Sequence, residues 1–279
     1  MSYESLTLTI SNKIAHIQLN RPDALNTMNA ALWKELPEVV QHINNEAAAR
    51  VIVLSSTGKH FSAGMDLAVF TGGTLNQEQE LGRKHENLRR TVLQLQDALS
   101  QFEKVRMPVL AAIQGGCVGG AVDMVTACDI RYCTEDAFFS IEETKLGMTA
   151  DVGTLQRLPH LIPQGLVREL AYTGRRMFAE EAKDAGLVNK VYPSQEAMLE
   201  DVMAIAEQIA ARSPLAVAGC KEMINYTRDH SVAESLNYMS VWQSGMFQPQ
   251  TDMMETFAAK MEKREPQFEE LNKVSSIFD

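Results

Sequence analysis

An apolar run at residues 108–113 leads straight into Gly115-Gly116-Cys117-Val118-Gly119-Gly120, and helical composition follows over residues 121–127. No other feature constrains the fold as strongly. A strand that passes through paired glycines into a helix makes a tight turn. The amides at the start of that helix have no intrahelical acceptor and favour negative charge in front of them. A second loop, Phe61-Ser62-Ala63-Gly64-Met65-Asp66-Leu67, follows another short buried strand at residues 50–55. Each loop alone reads most simply as a turn. Two backbone N–H groups that converge on one oxygen would make an oxyanion hole.

The surrounding pattern is α/β. Residues 6–10 and 14–19 alternate around Ser11-Asn12-Lys13 and read as a hairpin. Asn20-Arg21-Pro22-Asp23 is a turn, and Leu32, Leu36, Val39 and Val40 form the apolar stripe of a helix that starts near Asn29. Strand, helix and strand at this separation predict a right-handed crossover. The polar segment 77–104 carries Val92, Leu95, Leu99 and Phe102 on one face, as a helix lying on a core would. Short strands are expected at 130–133 and 137–141. Composition changes near Pro193, and 195–211, 215–226, 232–243 and 251–262 are helical in pattern. The reading is an α/β core over residues 1–195, followed by a helical region over 196–279 for subunit packing.

Composition excludes several classes. The 279 residues hold 26 Lys and Arg against 36 Asp and Glu, a formal net charge of −10. Such a chain has no general affinity for nucleic acid or an anionic membrane. Cys117, Cys128, Cys133 and Cys220 show no CxxC spacing and read as small buried hydrophobes. The opening MSYESLTLTI has no signal-peptide pattern, and no apolar run approaches the length of a membrane span. The expected compartment is the cytoplasm.

The third feature is a set of carboxylates. Asp123 follows the second glycine loop, and Glu142, Glu143 and Asp151 lie in Phe138-Phe139-Ser140-Ile141-Glu142-Glu143-Thr144-Lys145-Leu146-Gly147-Met148-Thr149-Ala150-Asp151. An acid in an apolar pocket has its pKa raised towards neutrality, which suits proton transfer. Helix capping and surface charge are the simpler roles, and Asp151 stands where it could cap a helix that begins near Val152.

These segments together resemble the enoyl-CoA hydratase/isomerase, or crotonase, superfamily over essentially the whole chain. The resemblance rests on FSAGMDL, AAIQGGCVGGAVD with its ACDIRYC continuation, and ADVGTLQRLP. It also rests on Asn20-Arg21-Pro22-Asp23-Ala24-Leu25-Asn26 and on Tyr172-Thr173-Gly174-Arg175-Arg176. It implies a spiral of repeated β-β-α units with a C-terminal helical oligomerisation region. Hydratases of the family use two glutamates, whereas Asp123, Glu143 and Asp151 are similar to the acids of its dienoyl-CoA isomerases. The tail segment Arg228-Asp229-His230-Ser231 resembles that subfamily too. Ala121, where a third glycine is usual, and the charged Glu142-Glu143-Thr144-Lys145 depart from it.

The resemblance implies a shift of a 3,5-dienoyl-CoA to a 2,4-dienoyl-CoA in fatty-acid β-oxidation. The backbone amides of Met65 and Gly120 would hold the thioester oxygen. Glu143 would act at C2 and Asp151 at C6, while Asp123 tunes them or positions the acyl chain. Ala24, Ala63, Gly64, Asp66 and Leu67 would contact the acyl-CoA, with Arg21, Lys59 and Lys260 as possible phosphate partners. Neither metal nor redox cofactor is required, because coenzyme A is part of the substrate. The implied assembly is a homotrimer or homohexamer. Other readings are an enoyl-CoA hydratase, for which Asp123 is a methylene too short, and an RNA-binding member, for which no lysine-rich patch exists. An inactive scaffold would not need three acids.

Overall fold

The computed structural model of the chain describes residues 3–66, 68–71, 80–247 and 250–274. The opening hairpin is present as β1 (Leu6–Ser11) and β2 (Ile14–Leu19), paired antiparallel. Asn12 and Lys13 both take positive φ at its turn. α1 (Ala30–Asn45) begins where Asn29 Oδ1 accepts the Leu32 amide at 2.9 Å. That bond satisfies one of the free amides of the first turn. Leu32, Leu36, Val39, Val40 and Ile43 form its buried face.

β3 (Val51–Ser56) returns parallel to β2, and α2 (Ala68–Thr71) and α3 (Leu81–Lys104) follow. Next come β4 (Val109–Ile113), β5 (Gly116–Val118) and α4 (Gly120–Thr126). β6 (Ile130–Thr134) and β7 (Phe138–Ser140) are followed by α5 (Thr154–Arg157) and α6 (Gln164–Thr173). β8 (Met177–Phe178), α7 (Ala179–Asp184) and β9 (Lys190–Tyr192) complete the strands. α8 (Gln195–Ala210), α9 (Pro214–Thr227), α10 (Val232–Met246) and α11 (Asp252–Glu262) end the chain's helices.

The strands form two sheets, one in the order β1-β2-β3-β4-β6-β9 and one in the order β5-β7-β8. Two isolated parallel bridges, Met28 with Met65 and Ser62 with Cys117, extend the smaller sheet backwards along the chain. The chain therefore winds. Each turn gives one strand to the large sheet, then a short extended segment to the small one, then a helix. β2 is followed by Met28 and α1, β3 by residues 62–65 and α3, and β4 by β5 and α4. β6 is followed by β7, a 3-10 turn over Glu143–Leu146 and α5. This is the expected spiral of β-β-α units.

Alternation along the large sheet sorts its side chains onto two faces. Ile52, Leu54, Val109, Ala111 and Ile113 face the main core with α1, while Val51, Val53, Leu110, Ala112 and Tyr132 face outwards. The outward face is covered by Met198, Val202, Ala206 and Ala210 of α8. The boundary expected at 195/196 therefore separates α8 from the sheet it covers; by packing, α8 belongs to the α/β core. Three of the four cysteines are buried as expected, but Cys220 is exposed. The segment after α11 turns back to the sheet. The Arg50 guanidinium, almost fully buried, donates to the Ala210 and Phe268 carbonyls and to both carboxylate oxygens of Glu270. Among the described residues, no helix is long and apolar enough to cross a membrane.

Candidate active site

The winding brings the two glycine-containing loops together. The Ser62 amide donates to the Gly116 carbonyl, and the Val118 amide to the Ser62 carbonyl, both at 3.1 Å. Gly64 has φ +85°, and a Cβ on it would lie 2.5 Å from the Val118 carbonyl oxygen and 3.4 Å from the Gly120 nitrogen. Only glycine fits both that conformation and that approach. A Cβ on Gly120 would lie 3.8 Å from the Met65 nitrogen. The Met65 and Gly120 amides are thus neighbours, and neither donates to an acceptor among the described residues. Gly120 opens α4, where a free amide is required by helix geometry. Met65 lies between two residues bonded to Met28: Gly64 accepts the Met28 amide, and the Asp66 amide donates to the Met28 carbonyl.

The turn around Ala24 and the loop around Ala63 form one unit. The Ala63 amide donates to the Leu25 carbonyl at 3.0 Å, and the Ala24 carbonyl accepts the Thr27 amide at 3.0 Å. Asp66 is engaged within this unit, accepting from the Ala68 amide and the Thr27 hydroxyl, with Arg21 at 3.6 Å. The Ala68 amide, helped by Thr27 and Arg21 against burial, holds its carboxyl below the ordinary value. Arg21 also donates to the Thr27 carbonyl, so both charges of this pair are tied to local structure. Lys59 and Lys260 are exposed, with no ion pair among the described residues. Leu67 lies outside the described residues.

The acids converge on the same place. Asp123, on α4, is completely buried; its Oδ1 accepts the Thr154 amide at 2.5 Å, and its Oδ2 has no hydrogen-bond partner. Burial raises its pKa, the Thr154 bonds oppose this, the Asp151 charge adds to it and Arg157 subtracts. Glu143 opens the 3-10 turn after β7, and its Oε2 is also buried and unpartnered. A Cβ on Gly119 would lie 3.3 Å from Glu143 Oε1, which puts this acid beside the start of α4. Its pKa is raised, first by burial, and then by Asp123, Asp151 and Glu142 against its own backbone amide.

The adjacent Glu142 behaves differently. Burial opposes its ionisation, but the Ser140 hydroxyl at 2.5 Å and Lys145 at 3.0 Å hold its carboxyl below the usual range. Of this charged pair only Glu143 has a buried oxygen without a partner among the described residues. Asp151 is exposed rather than enclosed, so the expected pocket of three buried acids is one buried acid, Asp123, a half-buried one, Glu143, and a third at the rim. Nor does Asp151 cap a helix: the residue at that cap is Gly153, with no side-chain bond. Residue patterns alone missed Thr154 as the partner of Asp123. The visible signal was a residue after a glycine at a helix start, where a free amide is expected. They also missed Trp33, whose indole N–H lies 3.3 Å from Met65 Sδ and helps hold the loop.

A family model described as enoyl-CoA hydratase/isomerase matches residues 9–272. The chain belongs to the enoyl-CoA hydratase/isomerase family. A human relative of that family, named as a mitochondrial Δ(3,5)-Δ(2,4)-dienoyl-CoA isomerase, is 46% identical over 95% of this chain and 81% of its own length. A peroxisomal protein of the same name from Arabidopsis thaliana is 42% identical over 97% and 99%. The crystal structure of an enoyl-CoA hydratase from Bacillus anthracis superposes with a TM-score of 0.84 at 33% identity, covering 98% of this chain and all of that one. The expectation of a cytoplasmic protein is corrected by these relatives, which are mitochondrial or peroxisomal. The opening residues, free of any signal-peptide pattern, carried no information on compartment.

Proposed function

We propose that this member of the family is a dienoyl-CoA isomerase that converts a 3,5-dienoyl-CoA to the 2,4-dienoyl-CoA in β-oxidation. The observation that carries the reading is the grouping of Asp123, Glu143 and Asp151, each within electrostatic reach of the others, beside the two free amides of Met65 and Gly120. The names of the most similar relatives point the same way.

The thioester oxygen accepts from the Met65 and Gly120 amides. Glu143 takes a proton from C2, and charge spreads over the oxygen, C2, C4 and C6. The two amides stabilise that dienolate; one such donor is worth about 3 kcal/mol in other enzymes. Asp151 then delivers a proton to C6, leaving double bonds at C2 and C4. Burial, with the Asp123 charge adding to it, raises the pKa of Glu143 and makes it a stronger base than an ordinary carboxylate. The shift is redox-neutral, so coenzyme A enters only as part of the substrate. The exposed apolar side chains of α9–α11, among them Ile224, Leu236, Phe257 and Met261, favour assembly as a homotrimer or homohexamer.

Incubation with a 3,5-dienoyl-CoA and, separately, a 2-enoyl-CoA tests the reading: conjugated-dienoyl absorbance should shift with the first, and hydration of the second should be slow. Asp151→Asn keeps shape and should lower dienoyl isomerisation by about 10²–10⁴-fold. Unchanged isomerisation in Asp151→Asn would remove this residue from the mechanism and favour a hydratase.

A further inference from the structure

Four residues, Asp151 to Thr154, join the rim acid to the buried one. The segment has no regular structure before α5 begins. It is nevertheless held at the carbonyls of Asp151 and Val152 and at the amide of Thr154. Gln96 of α3 donates to the Asp151 carbonyl at 2.6 Å. Arg157 Nη1 donates to the Val152 carbonyl at 3.3 Å. The Thr154 amide goes to Asp123. Gly153, at φ +134°, has no room for a side chain, because a Cβ there would lie 1.7 Å from Arg157 Nη1. The guanidinium thus occupies the place that a side chain at 153 would fill.

Arg157 is itself fixed from the far side. Its Nε and Nη2 donate to Glu103 Oε2 at 2.9 and 2.7 Å, and Nη2 also donates to the Ser100 hydroxyl at 2.8 Å. Its side chain is only 11% exposed. Glu103 stays ionised despite burial, because Arg157 and Arg228 both donate to it. A planar fork of donors can hold one carboxylate and a backbone carbonyl at once; an ammonium cannot reproduce that geometry.

We propose that Arg157 is a positioning residue of this site: anchored to α3 by Glu103 and Ser100, it fixes the 151–154 segment and so places both Asp151 and the amide that caps Asp123. The inference rests on the isomerase reading for its effect on turnover, but not for its effect on Asp123. A guanidinium that only stapled α5 to α3 would contribute stability and leave the acids as they are. A positioning role moves both. The charged and titratable groups around Asp123 are Asp151, Glu143, Arg157 and the Cys117 thiol. Only Arg157 among them is cationic.

The experiment compares the full-length protein with Arg157→Met, Arg157→Lys and Gln96→Leu. Turnover of a 3,5-dienoyl-CoA, carboxyl NMR titration of Asp123 and hydrogen exchange of the Thr154 amide are followed in each. Arg157→Met should lower kcat by about 10²-fold with KM little changed, as displacement of a catalytic group by an ångström does. The Asp123 titration should move to higher pH, and the Thr154 amide should exchange faster. Arg157→Lys should recover only part of each effect. Should Arg157→Met fail to fold, Gln96→Leu, which frees only the Asp151 carbonyl, should still lower kcat with KM little changed. Wild-type turnover, Asp123 titration or Thr154 exchange in the Arg157 variants would overturn the proposal, as would a Gln96→Leu enzyme with unchanged kcat. A wild-type protein that hydrates but does not isomerise would instead remove the isomerase reading, with the titration and exchange still deciding the role of Arg157.

Discussion

Single residues in this protein are constrained by what their backbones must approach. Gly64 and Gly120 both belong to the proposed oxyanion site, yet their surroundings differ. A methyl group on Gly64 meets a carbonyl oxygen of β5 at 2.5 Å, whereas one on Gly120 meets the flexible Met28 sulfur at 3.1 Å. Gly64→Ala should therefore lower kcat by about 10²–10³-fold, the loss typical of one oxyanion donor, while Gly120→Ala is milder. Steady-state kinetics of the two variants check the order. Asp123 gives a prediction of opposite sign. Its folded pKa is raised by burial, so the folded state binds more protons than the unfolded state once pH exceeds the unfolded value. Wild-type stability is then lost as pH rises through that window. Asp123→Asn keeps an acceptor for Thr154 and cannot ionise. It should melt above wild type at neutral pH, and the advantage should shrink as pH falls towards the ordinary Asp range and be gone below it. Equal pH dependence of the two melting curves would show that Asp123 is not strained. The acids themselves were legible in the sequence as residue types in order. Their environments were less so: Lys145 stands three residues after Glu142, a pairing that spacing allows, but Gln96, which holds the Asp151 carbonyl, lies on α3, and no spacing rule connects it to Asp151.

At the scale of elements, the sequence was most readable where an element carries its own pattern. The cap at Asn29 and the stripe of α1 are local, and so is the alternation of β3 and β4. The strands of the small sheet are two or three residues long, and their pairing reaches across the winding chain, so nothing local marks them as partners. α8 shows a different limit. Its stripe of Met198, Val202, Ala206 and Ala210 announces a buried face but not which surface buries it. Composition grouped it with the tail, and packing gives it to the sheet. The segment beyond α11 is tied to the start of β3 through Arg50 and Glu270. The Glu270 carboxylate is 44% exposed, so Glu270→Gln should cost only about 1–2 kcal/mol, below the loss for a fully buried pair. Burial opposes ionisation of Glu270, but Arg50 and Lys13 outweigh it and lower its folded pKa. Its contribution is therefore present above the ordinary Glu range and lost as pH falls through the folded value. Denaturant melts of both proteins at neutral and acidic pH should show the difference closing on the acid side.

For the whole molecule, the apolar side chains exposed on α9–α11 set the expectation for solution behaviour. Such a surface is larger in character than isolated apolar residues need explain. Sedimentation should give a trimer or hexamer, and Phe257→Asp with Met261→Asp should shift it towards monomer; a wild-type monomer would refute this. The winding itself has a further meaning. The second turn supplies Met65, the third supplies Gly120 and Asp123, and the fourth supplies Glu143 and Asp151. No turn holds a complete catalyst. The chain is in effect a series of replaceable cassettes, each carrying one part of the chemistry on the same scaffold. Substitution at Glu143 or Asp151 in the fourth, or at Asp123 in the third, can change the acids while the Met65 and Gly120 amides continue to hold the thioester oxygen. On such a winding, a change of chemistry asks only for new side chains at a few positions, without the rest of the fold having to be reinvented.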